Sequence, residues 1–468
     1  MTIIRPDMFA THEIVGPVKI CCPVGDGLMT PYILNEQQDW FEDEIKFLRE
    51  IARPETRFID IGANYGLYSL SIASICRDGH VWSYEPGGET AGYLNESIGA
   101  NRFRHVTLVN KALSNKAGAG RLRTGDNSEL NALTDADDAG RGETVELTTL
   151  DAECALYDWR EIDLVKIDAE GHELQVLEGG LRFFTTASPL VMLEIKAGAN
   201  IDLVPVNYLI AQGYRSYRVI PGLQALAPLD VSAPMDGFQL NTFCCKPDRA
   251  AALLSLSRLV IEPGSATLSI PATSLWAEFL RAYPFGAAHA GEWQGRTATS
   301  PEDGWQEYER ALNLYAIARA PERDITTRYD ALHASYRALE TLLQQRATLP
   351  RVLSFARVAI DFGARVSAVQ ALAFFLRSVE GNIGQLITGE PYLSPSAEFE
   401  RITPGLVPQN WAIAAALDAY EKFRSYSSYF IEPNQTLQIV QEIKRLGYST
   451  PGMQRRADLA GRRISAGA

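Results

Sequence analysis

FIDIGANYGLYSL, residues 58–70, is the stretch on which the fold turns. Its first four residues, Phe58 to Ile61, form a short apolar run with an acid, Asp60, near its end. A glycine turn follows (Gly62, Asn64, Gly66), and residues 66–77 then take helical spacing. Working outward, the same rhythm repeats. VWSYEP (81–86) reads as a strand and 88–100 as a helix; HVTLVNKAL (105–113) is a strand, DLVKID (163–168) a strand, and LQVLEGGLRFF (174–184) a helix. PLVMLEIK (189–196) is a strand and VNYLIAQG (206–213) a helix. Strands that alternate with helices over this length predict an α/β fold, a mostly parallel sheet covered on both faces. YRSYRVI (214–220) and LNTFCCKP (240–247) have only a loop between them and are predicted to pair antiparallel. GRLRT and TVELTTL, within 118–150, suggest an inserted hairpin.

Upstream, residues 12–35 alternate as VKICCPVGD and LMTPYILN around Gly25 and Gly27, which predicts a hairpin. Residues 38–52 place Trp40, Phe41, Ile45, Phe47, Leu48 and Ile51 on one helical face, a cap-helix candidate, with Glu42 and Glu44 among its lid residues. Downstream of 248 the character changes. Residues 262–305, rich in Gly, Pro, Ser and Thr, read as an irregular connector. From 305 the period is helical, through 305–380, 409–424 and 433–446, and the last run, RRADLAGRRISAGA (455–468), reads as frayed. The expected organisation is therefore 1–57 (hairpin and cap helix), 58–248 (catalytic domain), 249–304 (connector) and 305–468 (an all-helical domain). Its helical hairpins resemble tetratricopeptide stacking, although no clean repeat of about 34 residues is present.

Of 468 residues, 46% are hydrophobic and 22% charged, which excludes a largely disordered or collagenous chain. The formal charge of −13 is uneven: residues 1–248 carry 21 basic against 36 acidic side chains, residues 249–468 carry 23 against 21. The acidic half argues against general nucleic-acid binding, which needs basic surface. Cys21–Cys22 and Cys244–Cys245 are adjacent in strand-like runs and so point to opposite faces, which makes them poor joint metal ligands. No run approaches the ~18 apolar residues of a membrane span, and MTIIRPDMFATHEIVG lacks a basic segment followed by an apolar core. The expectation is a cytoplasmic protein with reduced thiols.

The chemistry-bearing residues cluster at strand ends. Asp60, Gly62, Asn64 and Gly66 shape a loop at a helix N-terminus, where free N–H groups can meet an anion. Glu85 ends the next strand, where an acid can accept both hydroxyls of a ribose. The run DxGANxG lacks the GxGxxG spacing of dinucleotide sites. An acid two positions before the first glycine suits an ammonium better than a pyrophosphate. S-adenosylmethionine offers an ammonium, a carboxylate, a ribose and an adenine; nicotinamide binding and a purely structural turn are the alternatives. Tyr65 is placed to face the methionine part of such a ligand, and Tyr68 reads as core. A second group, Asp168, Glu170, Gly171, His172 and Glu173, opens a helix after a strand and could supply a general base. Glu194 ends the neighbouring strand.

These motifs together resemble the FkbM-type methyltransferase family: FIDIGANYGLYSL, YEP (84–86), VNKALSNKAG (109–118), TVELTTLD (144–151), KIDAEGHELQVLEGG and LEI, in order over roughly residues 40–247. The resemblance implies a class I Rossmann-like fold, S-adenosylmethionine and O-methylation of a sugar or polyketide hydroxyl. It assigns Asp60, Gly62, Asn64 and Gly66 to the cofactor loop and Glu85 to the ribose; Tyr65 in the loop and Pro86 after Glu85 are counted with them as cofactor-binding candidates. Asn110 to Leu113, with Ala112, lie where the third strand should meet the adenine. Asp168 and Glu170 match the post-strand acids, with His172 beside them.

A sugar hydroxyl does not ionise alone at neutral pH. Either Asp168 or His172 takes its proton, or Asp168, Glu170 and Glu194 hold a Mg²⁺ that lowers its pKa. The bland readings are that His172 bonds backbone or Glu173, and that Glu194 pairs with Lys166 or Lys196. The helical region would recruit a protein partner, cover the acceptor or self-associate; Tyr426, Tyr429 and Phe430 are read as interhelix packing, with stacking on sugar the alternative. A different class of function, a non-catalytic adaptor presenting that region, predicts loss of some of Asp60, Glu85, Asp168 and Glu170. All four are present.

Overall fold

The computed structural model describes residues 2, 4–5, 8–25, 27–123, 125, 131–134, 142–195, 201–269, 274–293, 303–379 and 389–467. Lys196 and Thr124 lie outside them. The chain divides into two compact units: Met1–Val219 with Leu226–Met235 and Gln239–Leu259, and Ile220–Ala225 with Asp236–Phe238 and Val260–Ala468.

The first unit begins with β1 (Phe9–Ile14), β2 (Val18–Pro23), α1 (Met29–Gln37) and α2 (Asp43–Ile51). The predicted N-terminal hairpin exists, but it is β1 with β2, antiparallel from Phe9↔Pro23 to Ile14↔Val18. LMTPYILN, read as its second strand, is helical. Pro31 falls in the first turn of α1, where N–H groups have no intrahelical acceptor to lose. In a strand it would have cost a ladder bond.

The strand–helix rhythm then appears, except that 105–113, read as one strand, divides between two sheets and 174–184, read as one helix, breaks in two at Gly179–Gly180: β3 (Arg57–Ile61), α3 (Leu67–Ala73), β4 (His80–Tyr84), α4 (Gly88–Asn101), β5 (Val106–Val109), β6 (Ala112–Leu113), β7 (Gly118–Arg123), β8 (Ala132–Thr134), β9 (Gly142–Thr148) and α5 (Leu150–Tyr157). After these come β10 (Leu164–Ile167), α6 (Glu173–Glu178), α7 (Leu181–Thr186), β11 (Leu190–Glu194), α8 (Val204–Ala211), β12 (Arg215–Ile220), β13 (Ala225–Pro228), β14 (Asn241–Cys245) and α9 (Pro247–Ser255). The main sheet has the order β13-β12-β14-β11-β10-β3-β4-β5. β11, β10, β3, β4 and β5 run parallel, and β14 enters antiparallel between β11 and β12. This is the mostly parallel Rossmann-like sheet with an antiparallel final strand. The inserted hairpin is β7 with β9, part of a small sheet β6-β9-β7-β8.

Period-two alternation sorts the sheet into two faces. Phe58, Val81, Leu164, Leu190, Met192, Phe243 and Cys245 pack with α2, α3 and α4 in one core. Ile59, Ile61, Trp82, Tyr84, Val165, Ile167, Val191, Leu193 and Cys244 pack in the other. The Cys244–Cys245 pair thus divides between faces as expected, and all six cysteines are free. The chain order leaves β3 for β4 and β5 on one side and returns to β10 and β11 on the other. Ligand crevices of open parallel sheets form at the carboxyl ends of such a switch.

The second unit contains α10 (Leu275–Arg281), α11 (Pro284–Trp293), α12 (Trp305–Ala318), α13 (Ile325–Arg346), α14 (Leu349–Phe362), α15 (Arg365–Val379), α16 (Pro408–Phe423), α17 (Pro433–Arg445) and α18 (Pro451–Gly467). Two readings change here. The supposed irregular connector holds α10 and α11. Its Pro and Gly serve helices: Pro284 occupies the first helical position, and a Cβ on Gly286 would lie 2.1 Å from the Leu280 carbonyl oxygen. The supposed frayed tail is α18, capped by the Thr450 hydroxyl on the Met453 N–H and burying Met453, Leu459 and Ala460. Tyr426 bonds the Phe238 carbonyl and stacks with Arg365, while Phe430 remains 51% exposed. No described helix is long and apolar enough to cross a membrane.

Candidate active site at the carboxyl edge of the sheet

The face that packs on α2 and α3 turns polar toward its carboxyl edge. By strand parity Asp60, Ser83, Glu85, Lys166, Asp168 and Glu194 share the face of Phe58, Val81, Leu164 and Met192. Lys166 stands directly opposite Asp60 in the β10–β3 register.

Asp60 is fully buried. Its Oδ2 accepts from the Ser69 hydroxyl at 2.6 Å, and Ser69 meets Ser83 at 2.7 Å. Its Oδ1 lies 3.8 Å from Lys166 Nζ and receives no hydrogen bond. Burial pushes the Asp60 carboxyl up, opposed by the Lys166 ammonium and the Ser69 hydroxyl. Lys166 Nζ donates to Asp168 Oδ2 at 2.9 Å. Burial alone would favour the neutral amine; the Asp168, Asp60 and Glu42 carboxylates outweigh it and hold Lys166 protonated.

The glycine loop is shaped by protein packing. Gly62 has φ +76°, and a Cβ there would fall 1.8 Å from the Asp168 carbonyl oxygen; Gly66 has φ +90°, and a Cβ would meet Leu94 at 2.4 Å. The Gly62 and Ala63 N–H groups donate to the Tyr84 carbonyl, which pins the loop to the end of β4. Close approach is therefore needed between strand and turn, before any ligand is considered. Asn64, at φ 49°, donates its N–H to Glu85 Oε2 at 2.9 Å, and Gly87 N–H donates to Oε1 at 2.8 Å. Asn110 fixes the same corner by donating to the carbonyls of Glu85 and Pro86, both at 2.9 Å. Burial raises the Glu85 carboxyl to about 7 despite those two N–H donors. Tyr65 is buried against Tyr93, and Ala112 is buried in β6.

The accessible acids are on the β10–β11 side. Asp168, Glu170 and Glu194 are half-buried, and one carboxylate oxygen of each lies within 4.8 Å of the others. The turn between β10 and α6 is held open by two left-handed residues, Glu170 at φ 53° and Gly171 at φ 93°. Glu173 accepts the Ala169 and Gly171 N–H groups, both at 3.0 Å, so it braces that turn. His172 does not pair with Glu173. It caps α6, with Nε2 2.9 Å from the Ser114 hydroxyl, and burial lowers its pKa. Ser114, Ser69, Ser83 and Asn241 escaped the sequence reading; only Ser83, polar between apolar neighbours in VWSYE, carried a legible signal. Tyr68, read as core, is buried, yet its hydroxyl donates to Glu42.

The donor set fits an adenosine ligand with a cationic end. Each Glu85 oxygen has accepted one backbone N–H and keeps a lone pair for a hydroxyl. Asp60 contributes negative charge from behind the loop, with one buried oxygen receiving no hydrogen bond.

Residues 60–216 match the methyltransferase FkbM domain family. Comparison with curated proteins gives no match. Among solved structures, the precorrin-6y C5,15-methyltransferase of Geobacter metallireducens GS-15 is 14% identical, over 43% of this chain and 85% of its own, with a TM-score of 0.24. M. jannaschii TYW2, solved in complex with AdoMet, is 14% identical over 52% of this chain and 88% of its own, with a TM-score of 0.27. A SAM-dependent methyltransferase from Aquifex aeolicus is 14% identical over 46% and 92%, with a TM-score of 0.25. Residues 60–216, which carry the motifs and most of the main sheet, are thus similar to the methyltransferase FkbM domain.

Proposed function

We propose that this domain moves a methyl group from S-adenosylmethionine to a hydroxyl of a sugar, glycan precursor or secondary metabolite. When bound, the cofactor supplies a methyl group made electrophilic by its sulfonium. The observation that supports the reading most is the division of acids on one sheet face. Glu85 is buried and aimed by two backbone N–H groups, as a ribose acceptor needs. Asp168 keeps 34% of its side chain exposed at the adjoining edge, as a group that meets an acceptor needs.

Glu85 would accept the ribose hydroxyls. Asp60, through the loop, would lend its charge to the cationic amino-acid end. Asp168 would take the proton of the acceptor hydroxyl on Oδ1 while Lys166 holds Oδ2; the oxygen–hydrogen bond would break as the oxygen–methyl bond forms, and the sulfur–methyl bond would break with its electron pair left on sulfur, so that S-adenosylhomocysteine departs. Lys166, 2.9 Å from Asp168, would hold that carboxylate in place; Asp168, Glu170 and Glu194 together offer the oxygens of the alternative, a Mg²⁺ that would lower the hydroxyl's pKa. His172, engaged with Ser114 and kept neutral by burial, would orient the turn beside the acceptor.

Labelled S-adenosylmethionine offered with a panel of sugar and polyketide hydroxyl acceptors tests this. Asp168→Asn should bind cofactor as the wild type does and lose about 10²- to 10⁴-fold in transfer rate, the contribution of a positioned base. Full transfer by that variant would remove Asp168 from the chemistry.

A further inference from the structure

One chain of contacts enters the site from outside residues 60–216. Glu42 lies on the segment leading into α2, and Asn241 opens β14. The Glu42 carboxylate accepts from the Tyr68 hydroxyl and, at 3.1 Å on Oε2, from the Asn241 side-chain amide; the Trp40 side chain bonds it too. Tyr68 is buried in the first turn of α3, directly behind the glycine loop. The Lys166 ammonium sits 5.1 Å from the centroid of the Tyr68 ring, and donates to Asp168. Asn241 in turn stands opposite Glu194 in the β11–β14 register.

A lysine ammonium is a point charge on a flexible four-carbon stem. It directs a carboxylate only if something limits where it can swing. Here that limit is the face of Tyr68, an attractive surface for a cation, and the ring is itself held at its far end by Glu42. We propose that Glu42 is a positioning residue of the methyl-transfer site: by holding Tyr68 and Asn241 together it fixes the ring on which Lys166 rests, and so the orientation of Asp168. The inference rests on the reading of Asp168 as proton acceptor. It assigns a residue of the segment before α2 to the same site.

The test uses the full chain with ¹⁵N-labelled lysine and follows the ammonium signal of Lys166, identified by its loss in Lys166→Arg. A buried, ion-paired ammonium exchanges slowly with water and gives a sharp signal. Glu42→Gln keeps an oxygen that accepts both bonds and should keep the signal. Glu42→Ala should broaden it beyond detection. Tyr68→Phe, which retains the ring and loses only the link to Glu42, should shift and broaden it, and serves if Glu42→Ala fails to fold. An unchanged signal in Tyr68→Phe or in folded Glu42→Ala overturns the proposal. In turnover, Glu42→Ala should lower kcat about tenfold with KM for S-adenosylmethionine nearly unchanged, and Glu42→Gln should restore it; equal losses in both variants contradict the positioning role. Calorimetry of the wild type with S-adenosylhomocysteine runs beside these. No binding there overturns the methyl-donor reading itself, while the ammonium signal still judges the contact chain.

Discussion

Both units bury ionic groups, and they do it differently. In the helical unit Arg351 and Glu390 are 2% and 3% exposed and fully engaged. Arg351 donates to Glu390 Oε1 from Nε and Nη2, at 3.0 and 2.6 Å, and to the carbonyls of Arg346 and Asp303, while Thr348 donates to Glu390 Oε2. Arg357, Arg319 and Tyr315 converge likewise on Asp361, and Arg357 also meets Glu400. In the first unit one cation, Lys166, bridges Asp60 and Asp168, and the second of these stays 34% exposed. A closed network spends its charge on specifying a fold. An open one leaves a carboxylate accessible, as Asp168 is at the carboxyl edge of the sheet.

The sharpest way to break that contrast is to cut the closed network. Arg351→Met leaves Glu390 buried without its cation, which should cost the helical unit about 3–5 kcal/mol. Thermal unfolding should show it, with cofactor affinity unchanged; a neutral result would mean the network is not structural. Next, Glu85→Ala should weaken S-adenosylmethionine binding about 100-fold, near 3 kcal/mol for charge-assisted hydrogen bonds, with unfolding little altered. The two variants thus fail in opposite assays.

Glu85 also gives a pH signature. Its carboxyl lies at about 7 in the folded chain against an ordinary value of 4.5. The folded state therefore holds that proton more tightly than the unfolded chain does. The resulting stabilisation is complete below pH 4.5 and is lost as pH rises through about 7, on the order of 3 kcal/mol. Glu85→Gln should flatten that part of the stability profile. Cofactor affinity should move the other way and weaken below pH 7, because the ionised carboxylate is the better hydroxyl acceptor. A pH-independent affinity between 6 and 8 would contradict this. The smallest expected effect is His172→Ala. If His172 only braces the turn through Ser114, transfer should fall less than about tenfold, below what a positioned base contributes; a larger loss would return the base role to it.

The main sheet was legible because its strands are short apolar runs separated by helices, a pattern that burial on both faces imposes. The loop Asp60–Gly66 and Glu85 were legible because strand ends and turns restrict residue type. The reason for the glycines was not: Gly62 makes room for the Asp168 carbonyl, a neighbour more than 100 positions away. The link from Glu42 to Tyr68 and Asn241 was equally hidden, since it depends on β14 inserting beside β11. LMTPYILN misled because its alternation fits a strand, while Pro31 at a first helical turn fits α1 as well. In 262–305, Pro and Gly looked like linker punctuation and turned out to start helices and permit close packing.

The central claim is an adenosine methyl-donor pocket at the carboxyl edge of β3 and β4. Calorimetric titration of the full chain with S-adenosylmethionine and S-adenosylhomocysteine, with NAD as control, tests it most directly. Micromolar binding of the first two and none of NAD is the predicted result. Binding of NAD alone, or of none of the three, would contradict it.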